Sequence, residues 1–516
     1  MIQKMTSWKA PWIRFFLATG AFLLFIPQTF PQYYFDKDCQ QAYEAIFSLR
    51  FAEAGKLITL EKQAEPHNLV TVYLENYIDF LTLIIGEERK VYDHLKENKG
   101  DRVKILEKGD KNSPFYNFCL GEVHLQWAIA RLKFGDYAMA AYEIQKAHTF
   151  LSANEAKYPA FLINKMGLGV VHVMVSLVPD NYKWVSTLIG LNGSMELGLR
   201  EIRQVSEYSG PDKITRMYKP QAAFFLAFLT LNLQKNKKDA LSMMELLKNQ
   251  SPDELQPSSP LLIYARATIL MRNGLNDEAL TVLSERTSLA PSFRFFFLDY
   301  LEGIARLNKL DNSASIYFER FIDGFRGSNY IRSAYQKLGW LAILHGDSAS
   351  YYRMMHKVLT KGTSMVDEDK QADYEASEGV VPNSILLRAR LLFDGGYYNL
   401  AIKELLNNPV KLSVRSKRDL IEYTYRLGRI YHETGNFAKA IGNYKQTVLH
   451  GKTEPWYFAA NAAYQMGLLY ENNGAYSKAD SAYHLCLSIN TREYKASLHQ
   501  KAKAGLNRLK NVQPKI

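Results

Sequence analysis

Two stretches near the C-terminus, YRLGRIYHETGNFAKAIGNYKQTV from Tyr425 and YQMGLLYENNGAYSKADSAYHLCL from Tyr464, align without a gap at an offset of 39 residues. Each has a small residue (Gly428, Gly467), a tyrosine three later (Tyr431, Tyr470) and a glycine in the middle (Gly435, Gly474). Alanine follows five residues on (Ala440, Ala479), then tyrosine after four more (Tyr444, Tyr483). This spacing reads as two helices joined by a tight turn. The first helix needs a residue without bulk where the second crosses it, an aromatic one turn later fills the gap, and glycine ends the helix in a left-handed conformation. A second small residue, on the second helix, completes the contact.

Further copies extend the pattern toward the N-terminus. ARATILMRNGLNDEALTVL carries Ala267, Gly274 and Ala279, RARLLFDGGYYNLAIKEL carries Ala389, Gly396 and Ala401, and WAIARLKFGDYAMAAYEI carries Ala128, Gly135 and Ala140. LNKLDNSASIYF offers Ala314. KLGWLAILHGDSASYY keeps Gly339 and Gly346 but has Tyr351 where alanine is expected, and AYEAIFSLRFAEAGKLI lacks the turn glycine. Repetition in one register over about four hundred residues predicts an all-α, right-handed superhelical solenoid of helix pairs, stabilised by nearest-neighbour stacking. The helix in YKASLHQKAKAGLNRLK, from Tyr494, would cap its C-terminal end.

The small, aromatic, alanine and aromatic positions match the tetratricopeptide repeat pattern. A second resemblance lies in SLVPDNYKWVSTLIGLNGSMELGL, on Ser176, Leu177, Pro179, Gly190, Gly193, Glu196, Leu197, Gly198 and Leu199. This stretch resembles an element of the tetratricopeptide repeat protein 39 and inclusion-body-clearance family, with Leu191 in place of that family's phenylalanine and Gly193-Ser194 in place of its Gly-Asp. The chain is also similar to exported tetratricopeptide repeat proteins of Bacteroidetes-type bacteria. These resemblances imply a repeat scaffold, a link to lipid or protein-aggregate handling in the eukaryotic relatives, and no catalytic residue. In the preceding helix Gly167 and Gly169 each cost about 1 kcal/mol relative to alanine, which implies close helix packing.

At 516 residues and 47% hydrophobic, with 33 tyrosines and 27 phenylalanines, the chain is too apolar to be disordered. Residues 1–32 are set apart: Lys4, Lys9 and Arg14 precede a twelve-residue apolar run, Phe15 to Ile26. A membrane span needs about twenty such residues, so the layout reads as a secretory signal peptide, with an N-terminal anchor as the alternative. Residues 33–250 then form an N-terminal helical region containing the insertion 177–202, and residues 251–516 a C-terminal array. The Pro/Ser-rich NQSPDELQPSSP, from Asn249, is a candidate hinge between the two. The expected location is periplasmic or envelope-associated.

Three of the formal +12 charges lie before residue 33, leaving about +9 on the rest. The densest basic runs, KNKKDA and VRSKRD, read as solvated helix ends, so nucleic acid is not an expected partner. Cys39, Cys119 and Cys486 are too few and too scattered for a disulfide framework and read as buried apolar residues. No H-E-x-x-H, C-x-x-C, Walker loop or G-x-S-x-G occurs, and the histidines show no ligand spacing, so neither metal nor cofactor is expected. The acidic MVDEDKQADYEASEGVVP, from Met365, reads as a solvated loop and helix start.

Without catalytic motifs, the usable surface is the concave groove. Counting from the small position, its candidate partner-binding residues are Glu422, Tyr425, Arg429 and His432, then Asn461, Tyr464, Leu468 and Glu471. A non-enzymatic scaffold holding a peptide or helix of another protein is the leading expectation. The alternative is a lipid- or membrane-associated factor using the apolar residues Trp184, Val185, Leu188 and Ile189 of the insertion.

Overall fold

The computed structural model describes residues 31–177, 193–231, 237–248, 259–288, 292–407 and 416–512. Among them the chain is helical, with an isolated bridge between Gln32 and Asn68. The first pair is α1 (Lys37–Phe47) and α2 (Phe51–Ala64), followed by α3 (Val70–Gly86), α4 (Arg89–Leu95) and α5 (Asn98–Leu106). Three units follow: α6 (Pro114–Lys133) with α7 (Tyr137–Lys157), α8 (Asn164–Ser176) with α9 (Met195–Ser206), and α10 (Lys213–Leu229) with the short α11 (Lys237–Ser242) and α12 (Met244–Lys248). Then come α13 (Pro260–Arg272) with α14 (Asn276–Ser284), α15 (Phe297–Asn308) with α16 (Ala314–Gly324), and α17 (Ile331–Leu344) with α18 (Ser348–Thr360). An extra helix, α19 (Asp367–Glu378), precedes α20 (Ser384–Asp394) with α21 (Tyr398–Leu406), α22 (Lys417–Glu433) with α23 (Phe437–Gly451), and α24 (Phe458–Asn472) with α25 (Tyr476–Ser488). The last described helix is α26 (Lys495–Val512), over the stretch in which the sequence expects a helix.

The turns work as the spacing requires. Gly435 and Gly474 have φ of 77° and 71°. The amide of Gly435 donates to the His432 carbonyl and that of Asn436 to the Tyr431 carbonyl, which satisfies the helix end. In the two copies that lack glycine, Leu49 (φ 58°) and Leu310 (φ 62°) hold the left-handed position themselves.

The reason for the small residue differs from the sequence expectation. A Cβ on Gly428 would lie 2.6 Å from the Tyr444 ring, and Gly467 faces the ring of Tyr483 in the same way. The aromatic that occupies the space therefore comes from the second helix. Tyr431 and Tyr470, one turn further along the first helix, are only half-buried, beneath the ammonium groups of Lys439 and Lys478. Tyr351, standing at an alanine position, is fully buried, and its hydroxyl donates to Glu375 Oε1 at 3.2 Å on α19. The extra helix supplies the acceptor for that tyrosine.

Backbone contact explains the glycines around the insertion. A Cβ on Gly169 would lie 2.5 Å from the carbonyl oxygen of Gly198, and one on Gly193 2.6 Å from the Val175 carbonyl carbon. Thus α8 and α9 meet backbone to backbone, and the chain leaves α8 and returns to α9 at one place. Gly167 instead faces the buried carboxyl of Glu122 on α6.

One hydrophobic core runs from Tyr33 to Leu391, including Leu247 and Leu261 on either side of the Pro/Ser-rich stretch. The described residues flanking that stretch thus share one core. Separate clusters begin at Ile385 and at Ile421. The helices of this core also close on one another: Ser259 Oγ donates to the Phe47 carbonyl at 2.6 Å, the Phe293 amide to the Leu49 carbonyl at 2.7 Å, and Asn329 Nδ2 to Glu87 Oε2 at 2.6 Å. All three cysteines are buried and unpaired.

Candidate partner-binding groove

The break in the array comes at α19. Its register is set by Asp369, whose carboxylate accepts from the backbone amides of Tyr330 (2.6 Å) and Ser333 (2.8 Å), so that a residue of one helix caps the start of another, α17. Burial nevertheless pushes the Asp369 carboxyl up to about 6. One turn and a half later Glu375 accepts from Trp340 Nε1 (2.7 Å) on α17 and, through its other oxygen, from Gln336 Nε2 (2.7 Å). The acidic segment read as solvated therefore turns two carboxylates inward. Sequence spacing could not show this, because their partners lie more than twenty residues away.

Between α19, the first-helix faces of α17, α20, α22 and α24, and the residues leading into α26 lies a cavity of about 520 Å³. Trp340, Tyr374, Tyr457, Phe458 and Tyr494 supply its aromatic surface. Trp340 is sandwiched between cations: Lys337 Nζ lies 3.7 Å and the Arg390 guanidinium 4.7 Å from its ring. Burial and then the Arg390 charge push the Lys337 ammonium down to about 7.

On α22, Arg426 donates to Glu422 Oε1 through Nη2 (2.7 Å) and Nε (3.0 Å). Burial raises the Glu422 carboxyl, but the Arg426 charge and hydrogen bond outweigh it and hold the group below the ordinary range. Glu493 has no such partner among the described residues: burial pushes its carboxyl up, opposed by the fields of Arg418 and Arg390.

Of the eight residues expected in the groove, Glu422 lines this cavity. Tyr425 is only 2% exposed, packed on Phe458 and Tyr457, with its hydroxyl accepting from Asn461 Nδ2 (3.0 Å) and Arg429 Nη1 (3.3 Å). That corrects its assignment to the groove: it is a core residue that Asn461 and Arg429 hold in place. Arg429 also lies over the Phe393 ring at 5.0 Å, and His432 Nδ1 is 3.2 Å from the Tyr444 hydroxyl.

In the last repeat Glu471 accepts from Arg508 Nε (2.7 Å) of α26 and from the Tyr483 hydroxyl. Tyr464 and Leu468 pack half-buried in the same C-terminal core. The capping helix takes the place where a groove was expected. Trp184, Val185, Leu188 and Ile189, with residues 1–30, lie outside the described residues.

The residues the sequence reading missed are Trp340, Arg390, Arg418 and Arg426. A signal existed for two of them: Trp340 and Arg390 directly follow the small positions Gly339 and Ala389, the register that Arg429 holds after Gly428. Arg418 sits in the basic run read as a solvated helix end. Nothing local marks it, because α19 and the approach to α26 complete the cavity around it.

Elsewhere, ligand atoms of Asp36, Cys39 and Glu61 lie within 4.8 Å of one another. Asn68 Nδ2 donates into this group, to Glu61 Oε1 (2.6 Å) and Cys39 Sγ (3.6 Å), while Asp36 caps α1 through the Cys39 amide (2.8 Å). An amide donor at the centre opposes a cation, and the cluster is a hydrogen-bonded helix start. No helix among the described residues is long and apolar enough to cross a membrane.

Paired helices, left-handed turns and glycines seated under the second-helix tyrosines Tyr444 and Tyr483 define a tetratricopeptide repeat protein, the class of protein-interaction scaffolds. Comparison with known proteins agrees: residues 460–492 match the tetratricopeptide repeat model, and residues 89–296 match the model of the family described as Iml2/Tetratricopeptide repeat protein 39. A 90-residue stretch, 17% of the chain, is 33% identical to the photosystem I assembly protein Ycf3 of Acaryochloris marina (strain MBIC 11017), covering 52% of that protein. The chain thus spans about half the length of this curated relative. The solved structure of Naa15/Naa10 bound to HypK-THB aligns with 92% of this chain and 78% of its own at 11% identity and a TM-score of 0.19.

Proposed function

We propose that this protein is an exported, non-enzymatic scaffold whose cavity between α19 and the α20–α26 array holds a segment of a partner protein. The observation that carries the reading is the cavity itself: about 520 Å³, walled by five aromatic rings and built from inner helices of successive repeats. Aromatic and arginine side chains are the types that most often dominate protein recognition. Ycf3, the relative matched over 90 residues, is named as an assembly protein, which accords with a positioning role. Export rests on the basic and apolar layout of the first 32 residues.

The test is a photo-crosslinking residue placed at Tyr374 in the full chain, expressed in its native cell. A discrete crosslinked protein, absent when the probe stands at exposed Lys452, is the expected result. A labelling pattern identical at both positions would overturn the groove reading. Export is checked by sequencing the N-terminus of the fractionated protein. A periplasmic chain beginning beyond Ile26 supports it, and a cytoplasmic chain retaining Met1 ends it.

A further inference from the structure

We infer that the groove selects an acidic peptide segment, with a carboxylate of the partner seated between Arg390 and Arg418. This rests on the scaffold reading above and adds the chemistry of the partner. Six cationic and six acidic side chains line the cavity, so the formal charge does not decide the question. Their existing partners do.

Most of the acids are already engaged. Glu375 accepts from Trp340 and Gln336, Glu422 from Arg426, Asp367 from Lys370 Nζ at 3.2 Å, and Asp419 from Asn383 Nδ2 at 3.2 Å. Arg426 and Lys370 are the cationic partners of two of these acids, but Arg390 and Arg418 are not matched in the same way. Arg390 has its nearest carboxylate, Asp394, at 3.8 Å, beyond hydrogen-bond distance, and is held by stacking on Trp340. Arg418 lies 6.0 Å from the Trp456 ring and has no ion pair among the described residues. Both are half-buried at the cavity wall, so their donors are partly stripped of water and keep spare hydrogen-bonding capacity. A guanidinium in that condition favours a planar bidentate acceptor, which a carboxylate supplies. The neighbouring rings of Trp340 and Tyr457 offer contact to the rest of the segment. Glu493, the one acid of the wall that lacks a side-chain partner among the described residues, sits within the field of both arginines and competes with the incoming carboxylate.

The experiment pans a random dodecapeptide display library against the full-length protein and measures the enriched peptides, fluorescein-labelled, by anisotropy. The expected result is enrichment of Asp and Glu. Binding then weakens about tenfold or more when the peptide's acids are changed to Asn and Gln, a change that leaves the protein untouched. Arg418→Gln weakens binding by a similar factor while the melting curve is unchanged. Arg390→Ala acts in the same direction, and Glu493→Gln tightens binding.

Enrichment of basic or uncharged peptides overturns the acidic assignment while leaving the scaffold intact. So does acidic binding that is indifferent to both arginine variants. A library from which nothing is enriched, with no crosslink at Tyr374, removes the scaffold reading together with this one.

Discussion

Gly428 shows how one residue position carries the fold. Its missing side chain is the seat of the Tyr444 ring, so Gly428→Ala drives a methyl into an aromatic that is itself fully buried. A loss of about 1–3 kcal/mol is expected in urea unfolding. The penalty shrinks in a Tyr444→Leu background, because the obstructing ring is gone. Equal penalties in the two backgrounds would show that the glycine serves the backbone instead. Glu122 is a residue of another kind. It is 2% exposed, Oε1 has no hydrogen-bond partner among the described residues, and burial pushes the carboxyl up to about 8. A raised carboxyl favours the native state most below its unfolded value near 4.5, and that contribution is lost as pH rises to about 8, because the unfolded chain releases its proton first. Glu122→Gln should therefore flatten the fall in melting temperature across that window and gain on the parent most at its alkaline end. Parallel profiles would count against a neutral Glu122. At this scale the sequence announced Gly428 through its register. It said nothing of Glu122, whose state depends on the tyrosines that three other helices bring around it.

Elements differ in what holds them together. The α8 and α9 pair meets through backbone at Gly169 and Gly198, where no side chain can move aside. Gly198→Ala should destabilise the α8–α9 unit more than Gly428→Ala destabilises its own pair, and trimming neighbouring Val173 should recover little. Hydrogen exchange across Asn164–Ser206 reads this directly, and full rescue by Val173→Ala would contradict it. The family-type motif was legible here as a string of glycines, and the structure supplies their reason. By contrast α19 was legible as a helix start but not as a wall. Its inward carboxylates Asp369 and Glu375 find their partners on α17, across a separation that local pattern cannot encode.

The whole molecule is more than a run of nearest neighbours. Phe51 and Phe293 pack with tilted rings whose centroids are 5.1 Å apart, and hydrogen bonds from Ser259 and the Phe293 amide reach back to the end of α1. Phe293→Ala should accelerate amide exchange in Lys37–Phe47 as well as around position 293, through the loss of a long-range contact. A change confined to the mutated turn would mean that the helices sharing the core from Tyr33 to Leu391 do not unfold as a unit.

Helix pairing, turn chemistry and the capping helix were determined by the sequence alone, because each depends on residues fewer than about twenty apart and on the 3.6-residue period. Tertiary structure decided which faces remain open. It buried Tyr425, covered the last repeat with α26, and assembled a charged, aromatic cavity from α17, α19, α20, α22 and α24. The physical reason is one of range. A side chain's local period says which face of its helix it occupies, and only the packing of distant helices says whether that face meets a neighbour or an empty groove.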